Sequence, residues 1–83
     1  MYLINYRYLF YADKGGESRE KHPTEIGKAF MDGSMRTFIV RDKIYAPQAL
    51  TLDDVNKVIY WTDSHMDSLS CVDYFGQHRY RIG

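Results

Sequence analysis

The sequence predicts an all-β fold made of repeated antiparallel sheets, on two observations. The first is aromatic content: eight Tyr, four Phe and one Trp among 83 residues, an enrichment that favours strands over helices. The second is internal repetition. Arg7-Tyr8-Leu9-Phe10-Tyr11-Ala12-Asp13 lies over Lys57-Val58-Ile59-Tyr60-Trp61-Thr62-Asp63 at a shift of 50, so that basic, apolar, apolar, aromatic, aromatic, small, Asp recurs. Further on, the stretch from Ile26 to Arg36 lies over that from Leu69 to Arg79 at a shift of 43, with Gly33 over Gly76 and Arg36 over Arg79. The difference is absorbed by an insertion in the first copy, placed in the polar, Gly- and Pro-containing stretch 14–25.

A repeat of 43 residues carrying several short strands is the signature of a propeller blade. Helical repeats of that length need a 3.6-residue apolar pattern, which is nowhere sustained. The weak helical candidate 24–31 has Gly27 in its middle, and its partner copy 68–74 alternates with period two, so both are read as strands. Seven strands are expected, at 6–12, 26–31, 36–40, 48–52, 57–62, 68–74 and 79–82. Asp13 and Asp63 close apolar runs, Asp32-Gly33 and Phe75-Gly76 supply hairpin turns with a positive-φ glycine, and Pro47 opens the run after a long connection. The run 58–62 is apolar on both faces, with Val58, Tyr60 and Thr62 on one and Ile59 and Trp61 on the other. A strand expected to be covered on both faces belongs to a stacked sheet. Small Ala49 and Thr51 share one face of 48–52, which suits the crowded innermost strand of a propeller.

Composition excludes several function classes. Eleven basic and eleven acidic residues cancel, which argues against nucleic acid or an anionic membrane as the main target. The longest apolar runs, Met1-Tyr2-Leu3-Ile4 and Val58-Ile59-Tyr60-Trp61, fall far short of the roughly 20 residues that cross a bilayer. No secretory leader is read at the amino terminus, because Asn5 and Arg7 interrupt the apolar stretch. The single cysteine, Cys71, makes no internal disulfide. A chain of this length buries only about 60% of its unfolded surface, so autonomous stability is expected to be marginal.

Ile59-Tyr60-Trp61-Thr62-Asp63, preceded by Pro47-Gln48-Ala49-Leu50-Thr51-Leu52-Asp53 and followed by Leu69 through Gly76 to Arg79, resembles the YWTD repeat, also called the low-density-lipoprotein-receptor class B repeat. The resemblance covers nearly the whole chain from Tyr6 onward and is closer to the large lipoprotein-receptor-related proteins than to nidogen-like matrix proteins. The second copy carries the full tetrapeptide, whereas Phe10-Tyr11-Ala12-Asp13 keeps the aromatic pair and the Asp and lacks the Thr. The resemblance implies a partial six-bladed β-propeller of about one and three-quarter blades, each an antiparallel four-stranded sheet. A first repeat would span 6–47 and a second blade 48–83, with large apolar faces left bare for adjacent blades. It further implies a fragment of the extracellular part of a single-pass endocytic receptor that binds protein ligands or presents EGF-like modules, with possible acid-dependent release. A Wnt co-receptor or matrix propeller is the alternative.

The motif residues Phe10, Tyr11, Asp13, Asp32, Gly33, Pro47, Tyr60, Trp61, Thr62, Asp63 and Gly76 are read as scaffold. Tyr60 and Trp61 would bury large areas on opposite faces, and the Asp63 carboxylate would accept N–H groups of the following turn. Asp63, His65 and Asp67 cluster in sequence, but a hard cation needs roughly six oxygen ligands and zinc four defined ones, so a solvated turn is expected and no metal or cofactor. Cys71 with His65 or His78 lacks a nucleophile elbow or an oxyanion nest, so no catalysis is expected. A propeller hydrolase would need acidic and amide groups converging on a central metal, for which Asp53 is the main axial candidate. His22, His65 and His78 are of the residue type that gains charge on acidification but are read as surface spectators, and 14–25 is read as a solvated loop at the blade rim, with a recognition loop as the alternative. No glycosylation sequon is present.

Overall fold

A computed structural model describes residues 2–4, 7–15 and 24–83. Among them, eight strands form two four-stranded antiparallel sheets in meander order. The first sheet holds β1 (Tyr2–Ile4), β2 (Tyr8–Asp13), β3 (Glu25–Phe30) and β4 (Thr37–Val40); the second holds β5 (Pro47–Asp53), β6 (Val58–Asp63), β7 (Ser68–Asp73) and β8 (Tyr80–Arg81). The eighth strand is β1. Its three residues are too few to show alternation, and only pairing with β2, with Leu3 opposite Phe10, makes it a strand. Most of the polar insertion, 16–23, lies outside the described residues.

The two copies fold alike down to single backbone angles. Gly33 and Gly76 both adopt positive φ, 86° and 83°, and two residues on Met35 and His78 do the same at 56° and 57°. In each turn the last strand residue, Phe30 or Asp73, donates its N–H to the carbonyl four residues ahead, while the glycine N–H returns to that strand residue's carbonyl. Asp32 Oδ1 accepts the Ser34 N–H in the first turn, and Asp73 Oδ1 accepts the Phe75 and Gln77 N–H groups in the second. A short acidic side chain thus stands in for backbone acceptors at both hairpins.

Each sheet turns one face toward the other. The first contributes Leu3, Tyr8, Phe10, Ala12, Ile26 and Val40; the second contributes Leu50, Leu52, Ile59, Trp61, Val72 and Tyr74, and Ile39 and Ile44 close the seam. The Phe10 and Tyr74 rings meet across it at 4.6 Å. Full burial of Trp61, Phe10, Ile26 and Ile59 is worth about 1.5–3 kcal/mol for each aliphatic or Phe side chain, which makes this seam the chief source of stability. Lys28 extends along the first sheet's inner face, donating from Nζ to the Tyr74 carbonyl at 3.2 Å and lying over the Tyr8 and Phe75 rings.

One expectation is corrected here. The run 58–62 is covered on one face only: Ile59 and Trp61 are buried, whereas Val58 and Tyr60 are half-buried and Thr62 is exposed. The reason is that one sheet stacks on one neighbour within this chain, so the outer face of the second sheet meets solvent. Tyr60 and Trp61 do point to opposite faces, but only Trp61 is buried. Ala49, opposite Thr62, is exposed as well, its N–H donating to Thr62 Oγ1 at 3.2 Å.

Candidate functional site

The motif residues converge on the seam and on the connection between the sheets. Asp63 ends β6 and is buried, and both of its carboxylate oxygens accept main-chain N–H groups. Its carboxylate accepts the N–H groups of His65 and Met66 at 3.0 and 3.2 Å, within the following turn. It also accepts those of Tyr45 and Ala46 at 2.8 and 3.1 Å, in the connection leading from the first sheet. The Ser64 N–H donates to the Ala46 carbonyl beside it. Burial pushes the Asp63 carboxyl up, but the four backbone donors outweigh it and hold the group below the usual carboxylate range. Asp63 is therefore a clamp between a turn and the inter-sheet connection, a role that the local sequence 63–67 does not reveal.

Trp61, paired with Leu50 and Ser70, lies under the Arg79 guanidinium at 5.3 Å. Arg79 in turn donates to the Asp42 and Lys43 carbonyls at 2.7 and 2.9 Å, fastening the same connection from its other end. A groove of about 290 Å³ runs beside it, lined by Asp42, Lys43, Trp61, Ser70, Arg79 and Arg81. The first sheet repeats the motif on its outer face. Tyr11, the counterpart of Trp61, lies under Arg36, the counterpart of Arg79, at 4.5 Å, beside a groove of about 340 Å³ lined by Tyr11, Glu25, Arg36, Thr37, Phe38 and Arg41. There the Tyr11 hydroxyl donates to Glu25 Oε2 at 2.7 Å and Arg41 Nε donates to Glu25 Oε1 at 3.2 Å. Burial and the Glu25 carboxylate push the Tyr11 phenol up. Gly27, opposite Tyr11 in the register, leaves room for that phenol, since a Cβ there would run into the Tyr11 hydroxyl and the Thr37 carbonyl.

The remaining candidates are placed as follows. Phe10 is in the seam, while Asp13 and Pro47 end β2 and begin β5. Asp32, Gly33 and Gly76 form the hairpin turns. Asp53 Oδ1 and Oδ2 hold the Asn56 and Val55 turn, and its carboxyl is lowered first by the Asn56 side chain. The His65 ring packs tilted against that of Tyr45 at 5.1 Å, and His78 Nδ1 lies 2.9 Å from Asp73 Oδ2. That contact heads the causes that hold the Asp73 carboxyl low. Cys71 is buried in mid-β7 between Tyr60 and Tyr80 on the neighbouring strands. No trio of His, Cys, Asp or Glu is grouped to hold a metal among the described residues. No helix among them is long and apolar enough to cross a membrane. His22 lies outside the described residues.

Two stacked, meandering four-stranded sheets joined by an Asp-clamped connection define a piece of β-propeller. The solved structure of a nidogen/laminin complex matches it at a TM-score of 0.76 with 25% sequence identity, over 90% of this chain and 26% of that one. No protein-family model matches the chain. It is 44% identical to low-density lipoprotein receptor-related protein 8 of Gallus gallus over 50 residues, 60% of this chain and 6% of that protein. It is also 32% identical to the sortilin-related receptor of Mus musculus over 54 residues, 65% of this chain and 2% of that one. The chain thus spans a small share of the length of the curated relatives it matches. These likenesses support a fragment of a YWTD propeller of the lipoprotein-receptor-related kind.

Proposed function

We propose that the chain is a non-catalytic part of an extracellular, endocytic lipoprotein-receptor-like propeller that binds protein ligands or presents neighbouring EGF-like modules. The repeat units are 6–47 and 48–83, and the motif residues from Phe10 to Gly76 are scaffold. The observation that carries the reading is the use of the motif's polar groups. Asp63 spends its carboxylate on four main-chain N–H groups, and Arg79 spends its guanidinium on two main-chain carbonyls. Groups so engaged hold sheets in place and leave recognition to loops on the propeller faces. Adjacent blades cover the outer sheet faces. Acid-dependent release of ligand belongs to the same reading.

The test is capture of purified low-density lipoprotein by the immobilised chain at neutral pH and again at about pH 5. Capture that reverses on acidification is expected, and absence of capture at neutral pH overturns the uptake reading. The matrix alternative is favoured by the nidogen likeness; a laminin fragment run on the same surface distinguishes it, because binding to laminin alone selects that reading.

A further inference from the structure

We propose that the groove beside Trp61 is a binding site for a carboxylate, the side chain of a glutamate presented by a protein ligand. This site deepens the reading that the chain binds protein ligands, and rests on it. The groove lies on the side of the second sheet that already faces the first, bounded by the connection residues Asp42 and Lys43. Blades stacked on the outer sheet faces therefore leave it as it is.

The internal repeat points to the ligand, because the first copy carries a carboxylate where the second has none. Tyr11 under Arg36 matches Trp61 under Arg79. Opposite Asp13, at the start of β3, stands Glu25; opposite Asp63, at the start of β7, stands Ser68. Glu25 is 8% exposed, and its carboxylate fills the place beside the ring, Oε2 accepting the Tyr11 hydroxyl at 2.7 Å and Oε1 the Arg41 Nε–H at 3.2 Å. Ser68 stops at Oγ, and it lines the second groove without filling it.

The second groove keeps its cations although the acid is gone. Lys43, Arg79 and Arg81 line it with one acid, Asp42, and Arg81 stands where the first copy has apolar Phe38. The Asp42 side chain is 83% exposed and lies 3.3 Å from Arg79 Nη1, so its charge is already answered. Arg81 donates from Nε to the Gly83 carbonyl at 3.3 Å, and neither Arg81 nor Lys43 has an acidic partner among the described residues. Arg81 stands opposite buried Ser70 in the register. A carboxylate entering beside Ser68 and Ser70 thus meets the Arg81 guanidinium and the Lys43 ammonium and gains charge-assisted hydrogen bonds. Half-buried Met66 and exposed Tyr80 line the same groove and offer apolar surface to the stem of a glutamate, which a bare carboxylate lacks.

The probe is the blocked tripeptide acetyl-Ala-Glu-Ala-amide, followed by the indole N–H resonance of Trp61, the single tryptophan. A saturable shift at millimolar peptide is expected, with the Gln peptide binding roughly tenfold more weakly and acetate more weakly than the Glu peptide. Arg81→Ala, at an exposed position, is expected to weaken the Glu peptide roughly tenfold. Ser68→Glu installs the first copy's residue opposite Asp63, as Glu25 stands opposite Asp13, and is expected to abolish binding by filling the groove from within. Near-ultraviolet circular dichroism checks that both variants keep the fold. A Gln peptide or acetate that binds as tightly as the Glu peptide, indifference to Arg81→Ala, or undiminished binding to Ser68→Glu each overturns the proposal. Capture of low-density lipoprotein separates the two ideas. Capture by Ser68→Glu equal to that by the wild type leaves the uptake reading standing and overturns this site, whereas peptide binding in the groove without lipoprotein capture leaves the site standing and overturns the uptake reading.

Discussion

Replacing Asp63 by Ala removes the acceptor of four main-chain N–H groups at 2.8 to 3.2 Å. The two donors in the turn after β6, His65 and Met66, are readily rehydrated. The two in the connection, Tyr45 and Ala46, lose a charged acceptor in a part-buried place, at about 1.5 kcal/mol each and so about 3 kcal/mol together. A domain of this size is stable by about 4–12 kcal/mol, so the loss is a large fraction of the whole. With a urea slope of about 1–1.5 kcal/mol per molar, the midpoint falls by about 2–3 M. Trp61 is the single tryptophan and is buried, so its fluorescence follows the transition without labels. Asp63→Asn, which keeps one acceptor oxygen, is expected to lose about half as much. Acidity adds a second axis. The folded carboxyl lies below its usual value, so its stabilisation is present above the unfolded pKa of about 3.9 and is lost as pH falls through the lowered folded value. The gap between wild type and Asp63→Asn should therefore narrow below about pH 4. A loss under about 1 kcal/mol for Asp63→Ala, or a gap that widens on acidification, refutes the clamp.

Four further substitutions probe the repeat. Gly76→Ala and Gly33→Ala both force a side chain to φ above 80°, at about 1–2 kcal/mol. The Gly76 variant also meets the Ile39 carbonyl at 3.0 Å where Gly33 has open space, so thermal unfolding should rank Gly76→Ala the less stable; equal melting temperatures refute that contact. Arg79→Ala removes two bonds to the connection and the cover over Trp61. It should cost about 2–3 kcal/mol in urea and raise quenching of Trp61 by iodide, and unchanged quenching refutes the packing. Gly27→Ala displaces the Tyr11 phenol from Glu25. The expected loss is about 1–3 kcal/mol, with a downward shift of the Tyr11 pKa in ultraviolet titration, and a phenol that titrates as in the wild type refutes it.

The sheets were legible in the sequence because the repeat aligned two weak strand patterns and each strengthened the other. Glycine turns and apolar alternation are local properties, so Gly33, Gly76 and the run 58–62 announced themselves. Strand β1 did not, since three residues carry no period and its existence depends on β2. The covered and bare faces of the second sheet were also illegible. Ile59 and Tyr60 are both apolar, and which of them is buried depends on how many sheets stack. Asp63 was visible as a strand end, but its bonds to Tyr45 and Ala46 span a separation of 17 to 18 residues, and no motif records a donor so distant. The Arg36–Tyr11 and Arg79–Trp61 pairs had a signal that was missed: both arginines and both rings recur at matched places in the two copies.

Cys71 gives the molecule a built-in clock. It is the single thiol, 3% exposed and enclosed by Tyr60 and Tyr80 on the flanking strands. A thiol reagent reaches it only when β7 parts from a neighbour, so the rate of alkylation reads how often the second sheet breathes. Covering the outer face of that sheet slows the reaction, and loosening the Asp63 clamp quickens it, at any protein concentration at which the adduct is counted by mass.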